Sequence, residues 1–391
     1  MEQTKTPLAW NQDLDAPSSP RESRFRESYR LFMANRLAVS GFVIFLIFFC
    51  VALVGLFLTS GTEPIFDPAM VRLQEKLRPP LSAPDVEALT PGETPALGIY
   101  LLGTDDLGRD VFSRMLQGAW VSLTVGFVAV GISVLIGIFM GGIAGYFGEK
   151  QVRSGHTLAV LFTGAGFVLM GMGMWASSFI FLAAGGGLFL VSAVHGPPGE
   201  RNSGKAPFRA LLSVPVMTVD TLIMRIVDIM LCFPSFFLIL TVVAILPASM
   251  YNIMIIIGLT SWMGAARFVR AEFLSLREQD FVTAAKALGV GKFRIIFRHM
   301  MPNALGPVLV SATIGIASAI LTEAGLSFLG FGVPPPHATW GNILSDGKRF
   351  IFDAPWLTFI PGIAILIVVL SFNLFGEGLR DILNPKLRER S

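Results

Sequence analysis

DFVTAAKALGVGKFRIIFRHMMPN, from Asp280 to Asn303, is a charged, helix-forming segment set between two long apolar runs. Phe281, Ala284, Ala285 and Leu288 recur at i, i+3, i+4 and i+7, and after Gly289 and Gly291 the same spacing returns as Phe293, Ile296, Phe297 and Met300. That period predicts two short amphipathic helices. Asp280 stands where an N-cap would be, Gly289 where a C-terminal cap would end the first helix, and Pro302 suits the first turn of the helix that follows. Lys286, Lys292, Arg294 and Arg298 fall on the polar sides. Two readings fit such a pair: a docking surface for another protein, or a connector lying on lipid headgroups.

The flanking runs decide the fold class. Hydrophobic residues make up 53% of the 391 and charged residues only 15%, and the apolar residues are gathered into uncharged runs. At about 1.5 Å per residue, runs of this length cross a hydrocarbon core of about 30 Å. The chain is therefore read as an all-α, polytopic helical membrane protein. A net charge of +3 is too small to argue for a nucleic-acid partner. Cys50 and Cys232 both lie inside apolar runs, which indicates neither a disulfide framework nor a metal set.

Outward to the N-terminus, residues 1–36 read as a polar tail ending in a basic amphipathic lead-in with Arg24, Arg26, Arg30 and Arg36. Residues 37–58 form a first span, and residues 59–118 a polar extracytoplasmic loop. The membrane domain follows over 119–391. Its first helix, 120–147, carries Gly137, Gly141 and Gly145 at four-residue spacing, which lets another helix backbone approach closely. Residues 157–194 are uncharged and longer than one span needs. Two tight spans joined near Trp175 to Ser178 fit this stretch; a single tilted helix with a re-entrant piece is the alternative, and it reverses every later orientation.

Arg225 and Asp228 then stand three apart on the approach to a span from about Ile229 to Leu246, as an i, i+3 ion pair or, in the rarer reading, a transport site. Ile253 to Ala266 is a further span, 271–303 a cytoplasmic connection, and Ala304 to Leu321 another span. Counting residues from Pro302 places Glu323 near the far boundary, as an interfacial residue rather than a gate. A Pro-rich loop over 330–355, a last span over 356–375 and a charged tail complete the chain. Of the 30 basic residues, only Arg72, Lys76, Arg78, Arg109, Arg114, Lys348 and Arg349 fall on the outer side. That asymmetry predicts cytoplasmic N- and C-termini and a cytoplasmic Asp280–Asn303 segment.

Chemistry within the chain is not indicated. Gly199 to Ala206, GERNSGKA, nearly matches a phosphate loop but ends in Ala206, with no hydroxyl for a magnesium ion, and follows an apolar run rather than a strand. There is no H-E-x-x-H, no G-x-S-x-G, and no pair of acidic residues at matched membrane depth.

Four separated blocks carry a resemblance. LGTDDLGRDVFSR (Leu102–Arg114), MRIVDIMLCFP (Met224–Pro234), the Asp280–Asn303 segment, and Glu323–Asp381 with GLSFLGFGVPPP, TWGNIL, APW and FNLFGEGLRD are together similar to the C-type permeases of dipeptide/oligopeptide/nickel ABC importers. The resemblance implies a six-span importer core, with 157–194 as an inserted two-span hairpin, in a multi-pass protein of the cell (inner) membrane. It implies membrane lipid, a second permease subunit, two ATPase subunits and an extracytoplasmic substrate-binding protein as partners, and peptides or related small solutes as cargo. It also implies a coupling role for Asp280, Phe281, Thr283, Ala284, Ala285, Leu288, Gly289 and Pro302, with Thr283 standing where such permeases often carry Glu. Arg225, Asp228 and Glu323 remain structural or gating candidates; no catalytic residue, metal or cofactor is expected in this chain. The rival is a secondary transporter driven by an ion gradient, which predicts ionisable residues at mid-membrane and inverted repeats.

Overall fold

The computed structural model describes residues 30–383, apart from 63, 88, 91, 154–157, 160–161, 164, 167–174 and 195–214. The elements in order are α1 (Arg36–Thr59), α2 (Val111–Phe147), β1 (Gln151–Arg153), α3 (Trp175–Val194), β2 (Pro215–Thr218), α4 (Val219–Cys232), α5 (Ser235–Ile245), α6 (Met250–Arg277), α7 (Asp280–Ala287), α8 (Lys292–Phe328), α9 (Trp340–Gly347) and α10 (Trp356–Leu383). The two strands form a small antiparallel pair, Val152 opposite Met217.

Short polar side chains start several helices by accepting N–H groups that have no partner within the first turn. Asn35 accepts from Leu37 and Ala38 ahead of α1, both at 3.2 Å. Asp110 accepts from Phe112 and Ser113 ahead of α2, at 3.3 and 3.0 Å. Thr218 does so for α4, and Thr339 and Asn342 form a reciprocal capping box on α9. Because Asp110 caps at that point, α2 is 37 residues long and the final part of the stretch expected to be loop is helical.

Among the described residues, five helices, α1, α2, α6, α8 and α10, are long and apolar enough to cross a membrane; α4 and α5 make a sixth span when the pair is counted as one. This pair replaces the straight span expected over 229–246. Its axis turns by 80° at Phe233–Pro234, because proline has no N–H to continue the ladder and forces the residue before it out of the helical region; Phe233 has φ −87° and ψ 133°. In the 157–194 stretch, Trp175–Ser178 belongs to a helix and not to the expected turn. The Ser178 hydroxyl donates across to the Gly166 carbonyl, outside α3, at 2.7 Å, which satisfies the buried serine, and Phe162 stacks on Phe181 at 5.5 Å. The residues connecting these pieces, 167–174, lie outside the described set, as does GERNSGKA.

The glycine ladder works as expected. A Cβ at Gly137, Gly141 or Gly145 would meet Ala265, Ala266 or Phe273 of α6, so α2 and α6 lie backbone to backbone. The main core fills the space between α2, α6, α8 and α10 with Val121, Val125, Ile257, Ile320 and Phe372 among its members. Phe45 of α1 reaches this core at Phe372, ring centres 5.0 Å apart. A second cluster, around Phe273, Val282, Ile295 and Met300, joins the end of α6 to α7 and the start of α8.

Candidate functional site

The corner made by α6, α7 and the start of α8 is built by local sequence. Gln279, not Asp280, holds the N-cap position, and Asp280 is the first helical residue, where its charge favours the positive end of the helix dipole. At the other end Gly289 has φ +73°, its N–H donates to Lys286 O at 3.0 Å, and the Val290 N–H reaches back to Ala285 O at 3.1 Å. This is the expected left-handed glycine cap. The second short helix expected after it is instead the first turns of one continuous helix, α8, with a π-helical stretch over Ile295–Met300. Pro302 therefore lies well inside α8. The wide turn immediately before it accommodates the missing N–H and the proline ring without ending the helix.

The four residues expected to share one face of α7 are divided. Val282 (0% exposed) and Ala285 (6%) face inward onto Phe273, Leu276 and Met300, whereas Phe281 (38%), Ala284 and Leu288 (83%) face out. The helix thus has an anchored side and an unpartnered apolar side. Thr283 is exposed, and its hydroxyl donates to its own helix at Gln279 O and Asp280 O, 3.1 and 3.0 Å. Beside α7 a cavity of about 580 Å³ is lined by Tyr146, Phe147, Lys150, Arg277, Lys286 and Lys292, with Glu149 and Glu278 held by Arg277 at 2.7 and 3.0 Å.

The expected Arg225–Asp228 pair does not form. Asp228 accepts instead from Arg267 of α6 at 2.6 Å, because α4 lies against α6 and turns Asp228 toward it. Two turns earlier Asp220 takes a two-pronged contact from Arg270 Nε and Nη2. Neither cross-helix pair was legible in the sequence, since the partners are 39 and 50 residues apart.

At the opposite end, Glu323 is fully buried inside the protein. It accepts from Ser327 Oγ at 2.6 Å and Ser122 Oγ at 3.4 Å, and the cap of α9 at Thr339 and Trp340 covers it. Nearby, the LGTDDLGRD block supplies a closed set of charges. Asp105 accepts from Arg109 Nε at 2.7 Å and from Arg114 Nη1, while Asp346 of α9 accepts from both arginines, at 3.1 and 2.9 Å. Asp106, next to this set, is pushed above the usual carboxylate range by burial and by the charges of Asp105 and Asp346. Sequence reading singled out the block but not this network, because Asp346 is 232 residues from Arg114.

Among the described residues, five long spans, one broken span and an anchored helix with an outward apolar side make a polytopic helical membrane protein. Comparison with known proteins agrees: the family described as binding-protein-dependent transport system inner membrane component matches residues 210–389. The dipeptide transport system permease protein DppC of Alkalihalophilus pseudofirmus is 35% identical over 366 residues, covering 94% of this chain and 91% of that protein. DppC of Haemophilus influenzae is 33% identical, covering 98% and 99%, and the oligopeptide transport system permease protein OppC of Bacillus subtilis is 30% identical, covering 96% and 94%. The chain belongs to the DppC/OppC-type permeases of ABC importers, and is a multi-pass inner-membrane protein. In systems of this family ATP hydrolysis lies in partner subunits, which sets aside the ion-gradient reading.

Proposed function

We propose that this permease conducts dipeptides or short oligopeptides, the cargo in the names of its relatives. It works beside a second permease subunit, with two ATPase subunits on one side of the membrane and a substrate-binding protein on the other. The observation that carries the assembly is α7: Val282 and Ala285 fix the helix to the bundle and leave Phe281, Ala284 and Leu288 to enter a groove on an ATPase subunit. Asp280, Gly289 and Pro302 shape this contact, and Thr283 adds no charge to it. The basic residues on the α7 side support a cytoplasmic position for α7 and for both chain ends.

Residues 157–194 are an inserted hairpin of two spans, which keeps α7 on the side it has in a six-span core. The contacts of Ser178 and Phe181 with the 158–166 pieces support this arrangement. Co-purification tests the assembly: two ATPase chains and a second permease accompany the wild-type protein, and uptake of a labelled dipeptide into reconstituted vesicles requires ATP hydrolysis. Uptake that continues without hydrolysis overturns the reading. Cysteine labelling across 150–200 tests the hairpin, since modification near residue 200 from the outside contradicts it.

A further inference from the structure

The broken span α4–α5 is joined to the rest of the bundle by two kinds of contact. One is apolar: Val227 of α4 packs with Trp262, Met263 and Ala266 of α6. Such contact is non-directional and lets one helix slide or pivot on the other. The other is directional. Arg270 grips Asp220 with two donors, and Arg267 holds Asp228 at 2.6 Å. Asp220 and Asp228 are about 12 Å apart along α4, while Arg267 and Arg270 are about 4.5 Å apart along α6, at about 1.5 Å per residue. Two attachments fix an orientation that one would leave free to pivot.

These pairs are placed at the end of α6 that leads into α7. There Val282 and Ala285 are packed on Phe273 and Leu276, and only Glu278 and Gln279 separate α6 from α7. At its other end α4 meets α5 at the Phe233–Pro234 bend. From α7 to α5 there is thus one continuous set of contacts, and the two pairs are the only charged links between α4 and α6 among the described residues.

We infer that Asp220–Arg270 and Asp228–Arg267 are positioning pairs for transport, which carry a displacement of α7 through α6 to the broken α4–α5 span. The inference rests on the reading of α7 as the ATPase contact. The Asp228–Arg267 pair is not needed to hold the fold: both side chains are about half exposed, and pairs in that setting contribute little to stability. Their effect is on the orientation of α4 during the cycle.

The test uses the complete reconstituted importer, read as dipeptide taken up per ATP hydrolysed, alongside ATPase-subunit retention and thermal stability. Asp228→Asn and Arg267→Gln are expected to keep the ATPase subunits and the melting temperature, and to lower uptake per ATP about tenfold, as a coupling between neighbouring charges allows. The exchanged pair, Asp228→Arg with Arg267→Asp, is expected to restore most of the loss; a purely structural role would move stability and not this ratio. Asp220→Asn and Arg270→Gln should behave alike; should they fail to accumulate, the exposed pair decides. Wild-type uptake per ATP in the single variants, or no rescue by the exchange, overturns the inference. Leu288→Asp separates the two proposals: if it keeps ATPase subunits and uptake, the docking reading fails, whereas loss of subunits there with wild-type coupling in the pair variants sinks the inference alone.

Discussion

Gly141 of α2 lies against the backbone carbonyl of Ala266 in α6, so close that no Cβ atom fits between them. Gly141→Leu is expected to separate the two helices and destabilise the bundle by about 1–3 kcal/mol or more, the usual cost of overpacking. Gly131 on the same helix has open space where a Cβ would go, so Gly131→Ala stays within about 0.5 kcal/mol. Thermal unfolding of the two variants in lipid nanodiscs compares them, and equal melting temperatures count against the close approach.

Arg114 is almost fully buried between Asp105, which is wholly buried, and Asp346. Arg114→Met leaves these carboxylates with Arg109 alone and is expected to cost about 3 kcal/mol, near the lower end for breaking a buried pair. Arg114→Lys restores charge but not the fork that reaches two carboxylates at once, so it recovers part of the loss. Denaturation midpoints rank the three proteins; a Met variant as stable as wild type would refute the network.

Tyr100 is fully buried, and its hydroxyl has no hydrogen-bond partner among the described residues. Burial pushes its phenol up to about 12, against about 10 in an unfolded chain. An acid whose folded pKa is raised favours the neutral form in the folded state, so this contribution is complete below about pH 10 and is lost as the pH rises toward 12. Tyr100→Phe is expected to flatten that alkaline slope and to leave neutral-pH stability unchanged or slightly higher. Melting curves between pH 8 and 11.5 read the slope, and an identical slope in the variant argues against Tyr100 as its source.

Leu288 and Val282 lie on opposite sides of α7, one 83% exposed and the other not at all. Leu288→Asp is expected to leave the melting temperature within about 0.5 kcal/mol of wild type while abolishing retention of the ATPase subunits. Val282→Asp buries an unpaired carboxylate and is expected to unfold the corner itself. A size-exclusion profile of each complex, run beside a melting curve, separates the two effects.

Much of this protein was determined by its sequence alone, because the causes are local. Uncharged runs of sufficient length set the long spans, Gly289 ends α7, and glycines four apart mark the α2–α6 approach, whereas the helix starts at Asn35, Asp110 and Thr339 emerged only with the structure. Tertiary structure decided what depends on residues far apart in the chain. Both sides of α7 are apolar enough to be buried, and periodicity cannot say which one meets α6; packing against Phe273 and Met300 chose Val282 and Ala285. Counting along a straight helix gave Glu323 a depth but not the α9 cap that folds over it. Asp228 was matched to Arg225 by spacing, yet it pairs with Arg267, because a side chain on a helix surface is drawn to whatever the neighbouring helix presents, and only the fold brings that helix there.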